Sequence, residues 1–343
     1  MKVMDSLRRS LPAATMLAVG LCAWHAEAQD NFYKGKTITF VLSTGPGGGY
    51  AAYGRLLAPH LVDHLAGKPN IVVQSMPGAG GLRATNFLYA QAPKDGTTIG
   101  LIHSTAVLAP VYGTQAAHFD SRKFNWLGSM SSASGICISW HTSPIKTWQD
   151  MLDREFIVGS SGVGSQMEVL PMMINQLFGT KMKVISGYKD GISVFLGMER
   201  GEVEGRCGGL LTPLKLTHPD WIPDKKVNVP IAIATKRLAI FPDTPSIMEF
   251  AKDDQTRMVL QLVFAPQQFD RPILSPPGLP EARVKELRTA FEAAMNSPEL
   301  KADAEKLHLD IDLVTGEEML KLIDMAYAVP PEIVNVAKAA MSN

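Results

Sequence analysis

Cysteine, charge and aromatics are all scarce in this 343-residue chain: 3 Cys, 19% charged residues and 7% aromatics. Three Cys exclude a disulfide scaffold and a Cys-rich metal protein. The charges cancel, 33 Lys+Arg against 33 Asp+Glu, so the basic surplus that a nucleic-acid binder needs to neutralise phosphates is missing. Hydrophobic residues make up an ordinary 46%, which excludes wholesale disorder. No apolar run reaches the ~20 residues of a bilayer span. What is left is enough chain for about two globular domains of ~100–200 residues each.

The first residues follow a known order. Lys2, Arg8 and Arg9 precede a charge-free apolar run, Leu11 to Trp24, and then a small-x-small site, Ala26-Glu27-Ala28. That order predicts a cleavable secretory signal over residues 1–28 and export of the rest. Cys22 leaves with the signal. Cys137 and Cys207 remain in an oxidising compartment, where they can form one disulfide or stay as buried thiols.

Strand and helix patterns alternate along the mature chain. Lys36 to Ser43 (KTITFVLS) reads as a strand, Tyr53 to Leu65 as a helix, Asn70 to Gln74 as a short buried strand, Leu82 to Gln91 as a helix and Thr97 to His103 as a strand. The order recurs: strand Phe156 to Gly159, helix Gln166 to Phe178, strand Lys183 to Ser186, helix Gly191 to Arg200, strands Val203 to Cys207 and Pro230 to Thr235. It implies mainly parallel sheets with helices on their faces. Ile136 to Trp140 and Met258 to Phe264 (MVLQLVF) are the expected crossing strands between two α/β lobes, the second inserted into the first: 29–130 plus 255–343, and 131–254. Pro280 to Asn296 and Gly316 to Ala328 are amphipathic helices.

Three glycine-rich loops, Ser43 to Tyr50, Pro77 to Gly81 and Ser160 to Ser165, each follow a strand and precede a helix. There the first helical N–H groups lack intrahelical partners and carry the positive end of the dipole. Glycine also serves strand-to-helix turns, but three such loops on two lobes point to a shared anion site at the carboxyl ends of the strands. Ser43, Thr44, Ser160, Ser161 and Ser165 supply hydroxyls. None of the loops contains Lys or Arg, so the anion's charge is expected to be offset by oriented amides, with weak salt dependence. The dinucleotide fingerprint, the Walker loop and the G-x-S-x-G elbow are all absent. His60 and His64 lack a third ligand and read as a solvated helix face, and Glu199, Glu202 and Glu204 as a solvated turn.

Several stretches together resemble one family. They are GPGGGYAAYGRLLAPHL (Gly45 to Leu61), VVQSMPGAGGLRATNFLY (Val72 to Tyr89), APKDGTTIG (Ala92 to Gly100), GSSGVGS (Gly159 to Ser165), GYKDG (Gly187 to Gly191), MERGEVEGRCGG (Met198 to Gly209) and PPGLPEARVKELRTAF (Pro276 to Phe291). In this order, behind a signal peptide, they resemble the extracytoplasmic solute receptors of tripartite tricarboxylate transporters, the Bug family.

The resemblance implies a type II periplasmic-binding fold, two α/β lobes joined by crossing hinge strands with a ligand cleft between them. It implies a periplasmic, monomeric receptor without cofactor or metal, which takes a mono-, di- or tricarboxylate. A permease of one large and one small integral subunit would receive the ligand. The implied ligand residues are Ser43, Thr44, Gly47, Gly48, Gly49, Tyr50, Pro77, Gly78, Ala79, Gly80, His103, Ser104 and Thr105 from the first lobe. Ser160, Ser161, Gly164, Ser165, Tyr188 and Cys207 come from the second. The family commonly has an acidic residue after the first glycine loop, where it can cap the next helix; this chain has Ala51. Alternatives from other classes are an exported α/β enzyme acting on a small anion, and a ligand sensor for a signalling partner.

Overall fold

The computed structural model describes residues 32–162 and 165–341. The signal segment and Gly164 lie outside the described residues. Strand β1 (Thr37–Leu42) is followed by helix α1 (Gly48–Asp63), β2 (Asn70–Ser75), α2 (Leu82–Ala90), β3 (Thr98–Leu101), the single turn α3 (Ser104–Val107) and β4 (Asn125–Ser129). Next come β5 (Gly135–Trp140), α4 (Trp148–Asp153), β6 (Phe156–Ser160), α5 (Gln166–Phe178) and β7 (Met182–Ser186). They lead into α6 (Gly191–Glu199), β8 (Gly205–Leu210), α7 (Leu211–Thr217) and β9 (Val227–Ile233). The C-terminal part holds α8 (Asp254–Phe264), β10 (Pro272–Ser275), α9 (Glu281–Asn296), α10 (Pro298–Lys306), β11 (Val314–Thr315), α11 (Gly316–Tyr327) and α12 (Pro331–Met341).

The strands form two sheets, ordered β11-β4-β10-β3-β1-β2 and β7-β6-β8-β5-β9. The first takes strands from both ends of the chain and the second only from the middle, giving two α/β lobes of the type II kind. Each sheet is mixed rather than mainly parallel. β2, β1 and β3 run parallel, as do β7, β6 and β8. β10 is antiparallel to β3 and β4, and β5 is antiparallel to β8 and β9. β10 and β5 are the strands by which the chain enters each sheet from the other lobe and not from a helical crossover of its own; the short β11, after α10, is antiparallel to β4 as well.

Three further expectations need correction. Asn70 to Gln74 is an edge strand with alternating exposure, not a buried one; Ile71 and Val73 pack on the core around Phe40, while Val72, on the opposite face, is 50% exposed. Met258 to Phe264 is the end of helix α8 rather than a strand. Asp253 caps that helix by accepting from Thr256 N–H, and Val259, Leu260, Leu262 and Phe264 are buried on more than one face. A short apolar run buried all round has no periodicity to separate the two structures. Ala51 does not stand at a helix cap. α1 begins earlier, at Gly48 with Gly47 as its cap residue, so Ala51 lies inside the first turn and is fully buried in the core.

The crossings are therefore one extended segment and one helical one. Their extended parts bond to each other: Asp270 N–H to Ser131 O at 2.9 Å, Ala133 N–H to Gln267 O at 2.7 Å and Met130 N–H to Arg271 O at 3.1 Å. Helix α8 joins the cores. Val259 and Leu262 pack in the cluster around Trp126, while Leu260 and Phe264 pack in the cluster around Phe156. Cys137 of β5 and Cys207 of β8 are bonded as a disulfide inside the second core, with both residues 0% exposed.

Candidate functional site

The register of β1 aligns Leu42 with Ser75 of β2 and with Leu101 of β3. The three parallel strands thus end together, and the loops after them meet at one edge. Ser43 N–H continues the ladder to Leu101 O at 3.0 Å. Its hydroxyl is buried with no hydrogen-bond partner. Gly81 closes over it: a Cβ there would stand 3.2 Å from Ser43 Oγ and 3.0 Å from His103 Cβ, and the backbone φ of +94° is one that glycine tolerates.

Tyr50 is the centre of this edge. Its hydroxyl donates to Asp270 O at 2.9 Å and accepts from Ser104 N–H at 3.1 Å. Its ring stacks on His103 with centroids 5.0 Å apart, and the Arg271 guanidinium lies 4.2 Å from its centroid. Arg271 bonds the Asp270 carboxylate, and its Nε is buried without a partner. His103 Nδ1 is 2.8 Å from Thr105 Oγ1.

Burial sets the protonation of these groups. It pushes Tyr50 up, with the Asp270 charge adding to it. It also raises Asp270, against the opposing pull of Arg271. Burial, and then the Arg271 charge, holds His103 below the usual histidine value, so the imidazole is neutral at neutral pH.

A cleft of about 670 Å³ runs from this edge to the second lobe. Tyr50, His103, Ser104 and Thr105 form one wall; Gln166, Val169, Leu170 and Leu210 form the other; Gln267, Asp270 and Arg271 of the crossing close the floor. A second cavity, of about 530 Å³, shares Ala133 and Gln267 with it but is otherwise lined by residues such as Lys236, Asp312 and Lys321. No described residue of the three glycine loops lines that cavity.

Four expected residues therefore line the cleft. Ser43 sits just behind Gly81 and His103. Thr44 is half-buried, its hydroxyl turned to Gly45 O at 3.4 Å. Gly47 to Gly49 form the cap and first turn of α1, with Gly49 close against Arg271. Pro77, Gly78, Ala79 and Gly80 are exposed at the end of β2. Ser160 ends β6, and its hydroxyl lies 3.0 Å from that of Ser165, the cap residue of α5; Ser161 is half-buried between them.

Two expected residues are engaged elsewhere. Cys207 is bonded to Cys137 and fully buried, so its side chain cannot meet a ligand. The Tyr188 hydroxyl donates to Glu202 Oε2 at 3.1 Å, with the ring packed against Gly159 and Gly197.

The helices α1, α2 and α5, which follow the three loops, have no side-chain cap. The same is true of α3, α7 and α9, whereas α4, α6, α8, α10 and α11 are capped by Thr147, Asp190, Asp253, Ser297 and Thr315. An uncapped helix N-terminus can bind an anion, although in α2 Leu82 N–H already donates to Ala79 O and Arg83 N–H to Gly78 O. Oriented amides are not the whole of its electrostatics, because Asp270 and Arg271 reach the cleft from the far end of the chain. No pattern in the sequence pointed to them. Among the described residues no His/Cys/Asp/Glu group could hold a metal, and His60 instead contacts Asp303 at 3.2 Å. Glu204 is no solvated bystander either, since it accepts from Ile157 N–H at 2.9 Å.

Two mixed α/β lobes, bonded crossing segments and a cleft between them define a two-lobed solute-binding protein. Residues 54–334 match the family described as the tripartite tricarboxylate transporter family receptor. The chain belongs to this family, whose members are solute-binding receptors and not enzymes. It is 24% identical over 310 residues to a UPF0065 protein in the gbd 5' region of Cupriavidus necator, covering 87% of this chain and 86% of that one. Its fold is similar to a TctC solute-binding protein from Polaromonas, with TM-score 0.70 and 16% identity over 90% of this chain and 99% of that one. It is also similar to MatC from Rhodopseudomonas palustris with bound malate, with TM-score 0.55 and 17% identity over 90% and 99%. No helix among the described residues is long and apolar enough to cross a membrane.

Proposed function

We propose that this receptor captures a small organic carboxylate between its lobes in the periplasm and delivers it to a tripartite membrane permease. Residues 1–28 are the export signal in this reading. The lobes are 29–130 plus 255–343 and 131–254. The observation that carries the reading is the cleft itself, with buried polar groups, uncapped helix N-termini and a paired Asp270–Arg271 at its floor. One end of the acid meets Tyr50, His103 to Thr105 and the amides of the Ser43 to Tyr50 and Pro77 to Gly81 loops. The other meets Ser160, Ser161 and Ser165. The malate bound by MatC supports the ligand class. Family membership supports the permease.

Closure about the bonded segments 130–133 and 267–271 removes the ligand from water and strengthens each of these contacts. Calorimetric titration with mono-, di- and tricarboxylates tests the proposal. Binding of one molecule per chain, without turnover, is expected for at least one acid. Binding confined to uncharged solutes would refute it.

A further inference from the structure

We infer that Arg206 is the counter-ion for the bound carboxylate on the second lobe, and that this carboxylate is carried on an apolar stem. The inference rests on the cleft being a carboxylate site; it adds the residue that reads the charge and the class of acid.

Arg206 lies in β8 and is only 3% exposed. Its guanidinium donates to Gly191 O at 3.0 Å and to Leu210 O at 3.1 Å, and stacks 4.3 Å from the centroid of Phe195. Those two bonds use two of its five N–H donors. No carboxylate among the described residues pairs with it. Burial lowers its pKa to about 10, so it remains charged at neutral pH. A buried cation held only by carbonyls and a ring face lacks the opposite charge that ordinarily balances one.

The place is shaped for this side chain. A Cβ on Gly209 would collide with Nε and Nη2, and one on Gly191 would stand 2.7 Å from Nη1. Around it opens a depression of about 280 Å³ whose other walls include Met167, Ile192, Leu210 and Pro213. Gln166 and Leu210 line both this depression and the cleft, so the two adjoin at these residues. Ile192, at its rim, is 50% exposed.

The two ends of the cleft differ in charge. On the first lobe Arg271 is neutralised by Asp270; on the second Arg206 is not. A carboxylate entering the depression gains an unscreened cation, while the group behind it meets Met167, Ile192, Leu210 and Pro213. Methylenes or an aromatic ring suit those walls. Hydroxyls or further charges there would be left unpaired, which a desolvated site disfavours.

The test titrates wild type, Arg206→Met and Arg206→Lys with hexanoate, adipate and benzoate, each against its primary amide, and with citrate and tartrate. Wild type should prefer acid to amide by about 30-fold or more, the loss expected when a buried charge is left without its partner. Arg206→Met should lower that preference below about threefold, and Arg206→Lys should restore part of it. Acid preference unchanged in Arg206→Met would place the counter-ion elsewhere and overturn the inference. So would citrate or tartrate binding more tightly than all three simple acids, although the carboxylate reading of the cleft would survive. Wild type binding no acid at all would overturn both. If neither variant folds, the structure of wild type with the tightest acid decides: a carboxylate on the Arg206 guanidinium upholds the inference, and one remote from it overturns it.

Discussion

Replacing Tyr50 by Phe removes one oxygen from the centre of the first-lobe edge and leaves the ring in place. Two main-chain hydrogen bonds are lost, to Asp270 O and from Ser104 N–H, along with a long contact to Ser104 Oγ at 3.5 Å. Their consequences differ. Asp270 O also accepts from Arg271 Nη1 at 3.0 Å, so it keeps a partner. Its share is the ~0.5–1.5 kcal/mol of an ordinary bond. Ser104 is buried, and its N–H loses its acceptor, a loss of ~1–3 kcal/mol. The sum is a destabilisation of about 1.5–4.5 kcal/mol. Stacking on His103 and the Arg271 contact survive in Phe, so Tyr50→Ala should destabilise further. Urea unfolding of the ligand-free mature protein, followed by near-UV circular dichroism, measures the difference. A Tyr50→Phe protein within ~0.5 kcal/mol of wild type would refute the reasoning, because it would mean that water replaces the hydroxyl and that the edge is wet.

Gly208 has φ of +80°, and a Cβ there would lie 2.5 Å from Gln166 O at the start of α5; Gly208→Ala should therefore destabilise the second lobe by more than ~1 kcal/mol and weaken ligand binding, read by calorimetry on one sample set. His103 has a folded pKa below its unfolded value of ~6.5. Its contribution to stability is thus complete above that value and lost as pH falls through the folded pKa, since the unfolded chain takes up the proton first. Thermal unfolding between pH 7.5 and 5 should fall less steeply in His103→Gln than in wild type, and parallel curves would disprove the assignment. The Cys137–Cys207 bond closes a loop with a sequence separation of 70, so Cys137→Ser with Cys207→Ser should cost ~2–4 kcal/mol. Alkylation of both thiols in unreduced wild type would show that the bond is not formed.

Local patterns were readable where a segment's own residues decide its structure. Helix α5 occupies the Gln166 to Phe178 stretch that its spacing predicts, because an apolar stripe and Gly179 as a left-handed stop coincide there. β1 runs into its glycine loop for similar reasons. MVLQLVF failed because it packs against two cores at once, which removes the polar face that would have marked a helix. The paired Cys137 and Cys207 could be named but not joined, since their contact depends on β5 and β8 becoming neighbours. Likewise the site's loops carry their own glycine signals, whereas Asp270 and Arg271 carry none. Asp270 meets Tyr50 across 220 residues of sequence, and only the return of the chain through α8 brings them together. Arg206 sits in a strand whose apolar neighbours suggested a buried segment. Its charge is informative only in the fold, where no carboxylate among the described residues pairs with it.

The central claim is that an organic acid is held between the two walls of the cleft. Hydrogen–deuterium exchange with and without a saturating carboxylate, chosen by titration, tests it most directly. Protection is expected at both walls together, in His103 to Val107 and in Gln166 to Leu170, along with the paired segments 130–133 and 267–271. Protection of only one wall, or of the Asp312 to Leu322 stretch in their place, would contradict capture between the lobes.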